Sequence, residues 1–258
     1  MTTQDLSKMG EARVSVELLD GLKCILKQGA SDVEVNFYQL AASKLAGVNT
    51  PALLRAEGNS LNIEYIPNRI SLVELQSNPQ TFEQLSLIHS SRYVPSFTVK
   101  KHEWTGAATE SALSILQLSE SAQSAIKYLQ SLSDRLFEFP GLISGDTNDG
   151  NWGSRVNGEL VLFDWERFGY GSPAIDLAPL VKGLGSVSDY EIVVRKYARY
   201  NSLLTEHELI KHLIIAKCWI IIEVVNILVV RNNSEALKYI NWYCNNVPQW
   251  LESVGKVL

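Results

Sequence analysis

The chain has 258 residues, 46% of them hydrophobic and 20% charged, which is enough apolar material for one large domain or two modest lobes and too much for a disordered chain. A formal net charge of −5 with no basic run argues against a nucleic-acid binder. Three distant cysteines (Cys24, Cys218, Cys244) and four scattered histidines (His89, His102, His207, His212) give no spacing for a disulfide framework or a zinc site.

The stretch Met1–Gly10 is polar and lacks the apolar core of a signal peptide, so a cytoplasmic location is expected. Val14 to Leu19 and Leu22 to Lys27 are two strands joined by Asp20-Gly21, a tight hairpin signal. A two-residue loop places Val14 opposite Lys27 and Val16 opposite Ile25. Ser31-Asp32-Val33-Glu34 then has the form of a capping box. The helix after it carries Val33, Phe37, Leu40, Ala41 and Leu45 at helical spacing. Leu53-Leu54 and Leu61 to Ile66 are further strands around Glu57-Gly58-Asn59, and Pro67 breaks the pattern. A lobe boundary is expected there, dividing the chain into residues 1–66 and 67–258.

Beyond Asn68 the periodicity is helical, near Ser71–Gln76, Thr81–Ser91, Ser111–Leu118 and Ser121–Phe137. The most apolar stretch, Leu213 to Val230, contains Lys217, Glu223 and Asn226. It is too polar for a membrane span and is expected to be a buried core helix. The aromatics Trp219, Trp242, Tyr243 and Trp250 are expected to be core as well.

A hairpin interrupts the helices. Asn157-Gly158 is a second two-residue turn signal, between Trp152–Val156 and Glu159–Phe163. Counting outward from it predicts Trp152 opposite Phe163 and Asn151 opposite Asp164, which would bring a carboxamide and a carboxylate to one spot. Asp146 stands five residues before Asn151, in a loop that contains Gly145. An Asp in a D-x-x-x-x-N loop can orient a hydroxyl and accept its proton, while an Asn and a later Asp hold Mg²⁺ on nucleotide phosphates. Lys27 closes its strand where an ammonium could meet those phosphates, with Lys23 as a rival on the same face. Glu34 could pair with Lys27 or complete the capping box. Asp176 either caps a helix or braces the loop. Glu166 either approaches the metal or is solvated. His89 is expected to be structural.

Ser144-Gly145-Asp146 through Asn151, followed by Leu162-Phe163-Asp164-Trp165-Glu166 and then Phe168 to Ala178, resembles the aminoglycoside phosphotransferase and choline kinase family. That family's pattern is H-G-D-x-x-x-x-N, a hydrophobic strand, I-D-W-E, a Gly-rich turn and D-L-A. The resemblance covers most of the chain and is specific from about Ile143 to Ala178. It implies an α+β, protein-kinase-like two-lobed fold, with a small antiparallel-sheet N-lobe and a larger, mostly helical C-lobe. It also implies Asp146 as catalytic base, Asn151 and Asp164 as Mg²⁺ ligands, and Lys27 with Glu34 on the nucleotide. The Glu64 to Ile66 segment is similar to the connector whose backbone meets the adenine. Leu87-Ile88-His89 is similar to the family's L-x-x-L-H helix end.

Two positions depart from the pattern. Ser144 stands where the family has His, and Gly10 is the one glycine where a phosphate loop is expected. The expected activity is transfer of the γ-phosphoryl group of ATP, or of GTP, to a hydroxyl of a small molecule. A cationic amino alcohol or an aminoglycoside suits an acidic chain with several aromatics. The alternative is a catalytically silent kinase-fold nucleotide-binding module. Nucleotide and small molecule are the expected partners, without nucleic acid or membrane, and the oligomeric state is left open.

Overall fold

The computed structural model describes residues 12–258. They divide into two compact units. One comprises the described residues up to Lys101 together with Leu142–Tyr170; the other comprises His102–Gly141 and Gly171–Leu258. Gly10 lies outside the described residues.

The first unit opens with β1 (Arg13–Leu19) and β2 (Leu22–Gln28). Asp20 and Gly21 both take left-handed φ values, 49° and 81°. This is the two-residue turn whose twist matches the flanking strands, and the register follows as expected, Val14 opposite Lys27 and Val16 opposite Ile25. α1 (Asp32–Asn36) is short and passes directly into a π-turn, Phe37–Ala41, and a 3₁₀ turn, Ala42–Lys44. β3 (Leu53–Glu57) and β4 (Ser60–Glu64) complete an antiparallel sheet of order β1-β2-β4-β3. Alternation along β4 buries Leu61 and Ile63.

β5 (Asn68–Arg69), α2 (Leu72–Ser77) and α3 (Pro79–His89) follow. Later in the chain β6 (Leu142–Ile143) pairs with β9 (Gly169–Tyr170), and the hairpin of β7 (Trp152–Ser154) and β8 (Leu160–Leu162) lies between them. Here the expected register is corrected by one residue. Trp152 faces Leu162 rather than Phe163, and Asn151 accepts through its carbonyl from Phe163 N–H at 3.0 Å. Asn151 therefore does not face Asp164.

The turn explains the shift. Gly158 is left-handed at φ 83° but Asn157 is not among the left-handed residues. Arg155 N–H donates to the Glu159 carbonyl at 2.9 Å, and Gly158 N–H donates to the Arg155 carbonyl at 2.9 Å. The loop is thus the three-residue type that ends on a left-handed glycine. It sets Arg155 against Glu159, and their side chains pair at 2.6 Å, an opposite-charge cross-strand contact.

The outer edge of β8 is covered by amides. Leu160 N–H donates to Gln80 Oε1 at 3.1 Å, and its carbonyl accepts from Gln84 Nε2 at 2.8 Å and Asn49 Nδ2 at 3.1 Å. Side chains thereby close an edge that would otherwise expose unpaired backbone groups.

The second unit is helical: α4 (Gly106–Leu116), α5 (Glu120–Ser131), α6 (Asp134–Phe137), α7 (Pro173–Leu177), α8 (Val187–Tyr197), α9 (Glu206–Val230) and α10 (Ala236–Val254). The single helix expected over Ser121–Phe137 is broken in two at Leu132-Ser133. The 25 residues of α9 are long enough and apolar enough to cross a bilayer by composition, yet 61% of its most apolar window is buried. α4, α7, α8 and α10 pack against it, the arrangement expected of a core helix. Trp219, Tyr243 and Trp250 are buried as expected, whereas Trp242 is 41% exposed.

Lys217 sits inside α9, and its Nζ donates to the carbonyls of Ala178 at 2.7 Å and Val181 at 2.9 Å. Burial pulls its ammonium from 10.5 down to about 7. Between those values the unfolded chain holds a proton that the folded chain releases. This contribution to stability is therefore fully present above 10.5 and is lost as pH falls through about 7. Urea denaturation at about pH 6.5 and about pH 9.5 should show stability rising with pH, and Lys217→Met should flatten the rise. An equally steep rise in the variant would remove Lys217 as its source.

Candidate active site

Lys27 is the last residue but one of β2, with its side chain directed inward and only 7% exposed. Its Nζ lies 2.6 Å from Glu34 Oε2 and 2.7 Å from Asp164 Oδ1. Burial disfavours the ammonium, but the charges of Glu34 and then Asp164 outweigh it and hold Lys27 above its ordinary value. Lys23 takes no part in this triad: its Nζ lies over the ring of Tyr65, 3.8 Å from the centroid.

The structure gives Glu34 one half of the capping box. Ser31 Oγ accepts from Glu34 N–H at 3.2 Å, while the Glu34 carboxylate turns to Lys27. Ser71 and Glu74, with the same spacing, make both halves. A buried ammonium draws the first carboxylate away; the second has no such rival. Burial pushes the Glu34 carboxyl up, Lys27 opposes the shift, and the negative charges of Asp164 and Glu166 add to it.

The loop before the hairpin presents Asp146. Gly145 is left-handed at φ 83°, and a β-carbon there would lie 2.8 Å from Arg167 Cβ. Only glycine allows this approach, which lets Arg167 Nε donate to the Gly145 carbonyl at 3.1 Å. Asp146 Oδ1 accepts from Asn148 Nδ2 at 2.7 Å, and the Asp146 carbonyl accepts from Asn151 Nδ2 at 3.2 Å. Trp152 Nε1 donates to the Thr147 carbonyl at 3.1 Å, closing the loop. Burial raises the Asp146 carboxyl; Asn148 and Arg167 hold it back, and Asp164 adds to the rise.

Asp164 follows β8 in a left-handed conformation, φ 65°, which Asp tolerates better than most residues. The next residue fixes it. Trp165 stacks on Phe37 with centroids 4.0 Å apart and planes 8° from parallel, and its Nε1 donates to the Leu162 carbonyl at 3.1 Å. Phe168 packs edge-on against Phe37 at 4.9 Å. The aromatic cluster thus binds the segment carrying Asp164 to the helical segment carrying Glu34. Glu166 is raised by burial first, then by Asp164, with Asp146 adding to the rise, so these three carboxylates lie within electrostatic reach of one another.

The remaining candidates make other contacts. The Glu64 carboxylate is gripped by Arg155 through two bonds, 2.8 and 2.7 Å, and sits below its ordinary range because of them. Ile66 is half-buried, and a β-carbon on Gly153 would lie 2.8 Å from its Cγ2. Ser144 and His89 are buried in the first unit, and Asp176 is buried in the second. Reading the residues alone missed Asn148, Arg167 and the Phe37–Trp165 stack. Asn148, two residues after Asp146, had a local signal in the Asx-type turn. The other two are contacts between distant parts of the chain.

Asn151 and Asp164 offer a carboxamide oxygen and a carboxylate, the hard oxygen donors that suit Mg²⁺ supplemented by water and phosphate. With Asn151 Nδ2 donating to the Asp146 carbonyl, the carboxamide oxygen is the atom that could meet a cation.

No family model and no curated protein sequence matches the chain. Solved structures match along nearly all of it. APH(2")-IIia, determined as its GDP and kanamycin complex, aligns with a TM-score of 0.68 at 13% identity, over 96% of this chain and 93% of its own. The choline kinase LicA from Streptococcus pneumoniae aligns at 0.66 and 16% identity, over 98% and 94%. Macrolide 2'-phosphotransferase MphH from Brachybacterium faecium aligns at 0.63 and 11% identity, over 95% and 91%. This chain has the kinase-like, two-lobed α+β fold that these three structures share.

Proposed function

We propose that this protein is a Mg²⁺- and ATP-dependent phosphotransferase that moves a γ-phosphoryl group to a hydroxyl of a small molecule. The supporting observation is Lys27 held at 2.6 Å by Glu34 and 2.7 Å by Asp164, beside a loop in which Asn151 is hydrogen-bonded to Asp146 and to Phe163. The fold shared with known phosphotransferases adds to it. In this reading residues 1–66 handle the nucleotide, and residues 67–258 supply the catalytic loop and the acceptor pocket.

Lys27 would turn its ammonium to the nucleotide phosphates, with Glu34 keeping the side chain extended. Asn151 and Asp164 would hold Mg²⁺, which when bound offsets negative charge on the transferring phosphoryl group. Asp146 would accept the proton of the attacking hydroxyl. Its raised affinity for a proton, caused mainly by burial, favours that role. Because Glu64 spends its carboxylate on Arg155, the segment to Ile66 would meet the base through backbone groups. Catalysis would rest on positioning and electrostatics. Solved neighbours determined with AMP and with GDP support a nucleotide, with ATP and GTP both to be tried. The carboxylates of Asp146, Asp164 and Glu166 favour a cationic acceptor, an amino alcohol or an aminoglycoside.

A coupled nucleotide-consumption assay with Mg-ATP and Mg-GTP should find turnover with one member of a panel of choline, ethanolamine, thiamine, aminoglycosides, sugars and hydroxy amino acids. Asp146→Ala should lower kcat by about 10²–10⁴-fold while keeping the rise in Tm that Mg-nucleotide produces; retained turnover would remove Asp146 as the base. Lys27→Met should raise the KM for nucleotide. It should also lower stability by about 3–5 kcal/mol, because it strands a buried Glu34. Unchanged unfolding midpoints in that variant would contradict the interdependence of the pair.

A further inference from the structure

One guanidinium in the first unit ties together segments that the chemistry above uses separately. Arg155 directly follows β7, the strand that starts one residue after Asn151. Its Nε and Nη2 donate to the two carboxylate oxygens of Glu64 at 2.8 and 2.7 Å. Nη2 also donates to the Thr50 carbonyl at 3.0 Å, and Nη1 donates to Glu159 Oε2 at 2.6 Å. Glu64 is the last residue of β4, two before Ile66, and its Oε2 accepts from Ala52 N–H at 3.1 Å as well. A guanidinium fork on a carboxylate fixes direction as well as distance. The end of β4 is thereby held in one orientation against the hairpin.

A second set of contacts holds residues 66–69 to the same strand. Asn68 and Arg69 of β5 pair with Ser154 and Gly153 of β7, and Asn68 Nδ2 donates to the Ser154 carbonyl at 3.2 Å. Gly153 makes this approach possible. A β-carbon there would lie 2.8 Å from both the Asn68 carbonyl oxygen and Ile66 Cγ2, closer than a side chain tolerates. Between these two anchors, Ile66 makes no backbone-to-backbone hydrogen bond among the described residues. Its N–H and carbonyl are thus left for another partner. The Arg155 and Glu64 side chains are 25% and 28% exposed, and an ion pair so placed adds little to stability. Orientation is what it supplies.

We propose that Arg155 is a positioning residue for nucleobase recognition, holding Glu64 so that the backbone of Ile66 meets the base from a fixed place on the hairpin next to Asn151. This rests on the phosphotransferase reading. Hydrogen bonds to the edge of a base weaken steeply as their angles worsen, so a backbone free to drift loses them. Contacts to the phosphates, from Lys27 and a bound metal, involve neither Arg155 nor Ile66. Loss of one or two neutral hydrogen bonds changes affinity about tenfold. Loosening the clamp therefore reduces discrimination between bases before it reduces affinity for phosphate.

Titration calorimetry with Mg-ATP, Mg-GTP and Mg-UTP on wild type and Arg155→Met tests this. Wild type should prefer one nucleotide. In the variant the Kd for that nucleotide should weaken about tenfold, while the Kd for the disfavoured ones changes little. The variant's Tm without ligand should stay near that of wild type. Arg155→Lys keeps the charge but not the fork; it should show the same pattern, and it serves if the methionine variant does not fold. Equal weakening of every nucleotide, or of none, would make Arg155 an ordinary structural support and overturn the proposal alone. So would a wild type that binds all of them equally, because the base would then go unread. If wild type binds none of them, the phosphotransferase reading falls and takes the Arg155 proposal with it.

Discussion

A buried ammonium shared by two carboxylates constrains the first unit more than any other contact. Lys27, Glu34 and Asp164 come from β2, α1 and the segment after β8, three parts of the chain with little local reason to meet. Removing ions from water is expensive, and their mutual attraction recovers the loss only when every partner is present. No one of the three can leave without stranding the others. The Phe37–Trp165 stack adds an apolar wall of neighbouring residues, which keeps water out and strengthens the charge interactions. Polar triad and aromatic stack thus hold the same two segments together by opposite means.

The backbone around the hairpin is arranged to serve that triad. Gly145 permits the approach of Arg167, and Asp164 adopts a left-handed φ. A non-glycine residue held in that region carries a strain of about 1–3 kcal/mol. The surrounding bonds are dense enough to sustain it. Phe163 is tied to Asn151 on one side of Asp164, and Trp165 is tied to Leu162 and Phe37 on the other. Farther out, Arg155 clamps the hairpin to Glu64 through a bidentate pair and to the Thr50 carbonyl at 3.0 Å, a geometry well suited to a guanidinium. The amides of Gln80, Gln84 and Asn49 close the free edge of β8. Strain at one residue is thus balanced by satisfied hydrogen bonds on its neighbours.

Much of this was legible in the residues, and the failures have physical causes. Asp20-Gly21 and Asn157-Gly158 carry the same turn signal, yet only the first becomes a two-residue turn. At the second, Arg155 gains Glu159 and Glu64 by shifting the register, a reward that local propensity cannot register. Ser31-x-x-Glu34 and Ser71-x-x-Glu74 carry the same cap signal, yet only the second closes fully. Its glutamate is exposed, while the other is drawn to Lys27. Asn151 and Asp164 were brought together by the wrong count of strand pairs, and the left-handed bend at Asp164 lay beyond any turn signal. A buried single group such as Lys217 left no pattern, because its partners lie far along the chain.

Charge balance at the site follows from the same geometry. Burial raises Asp146, Glu166 and Glu34, and the charge of Asp164 adds to each rise. Lys27 pairs with Glu34 and Asp164 and its charge also reaches Glu166, while Arg167 acts on Asp146 and Glu166. A site with so many carboxylates gains from any cation that enters. Lys27 cannot leave Glu34 without stranding a fully buried carboxylate, whereas the Asp164 side chain is 34% exposed and open to a further cation.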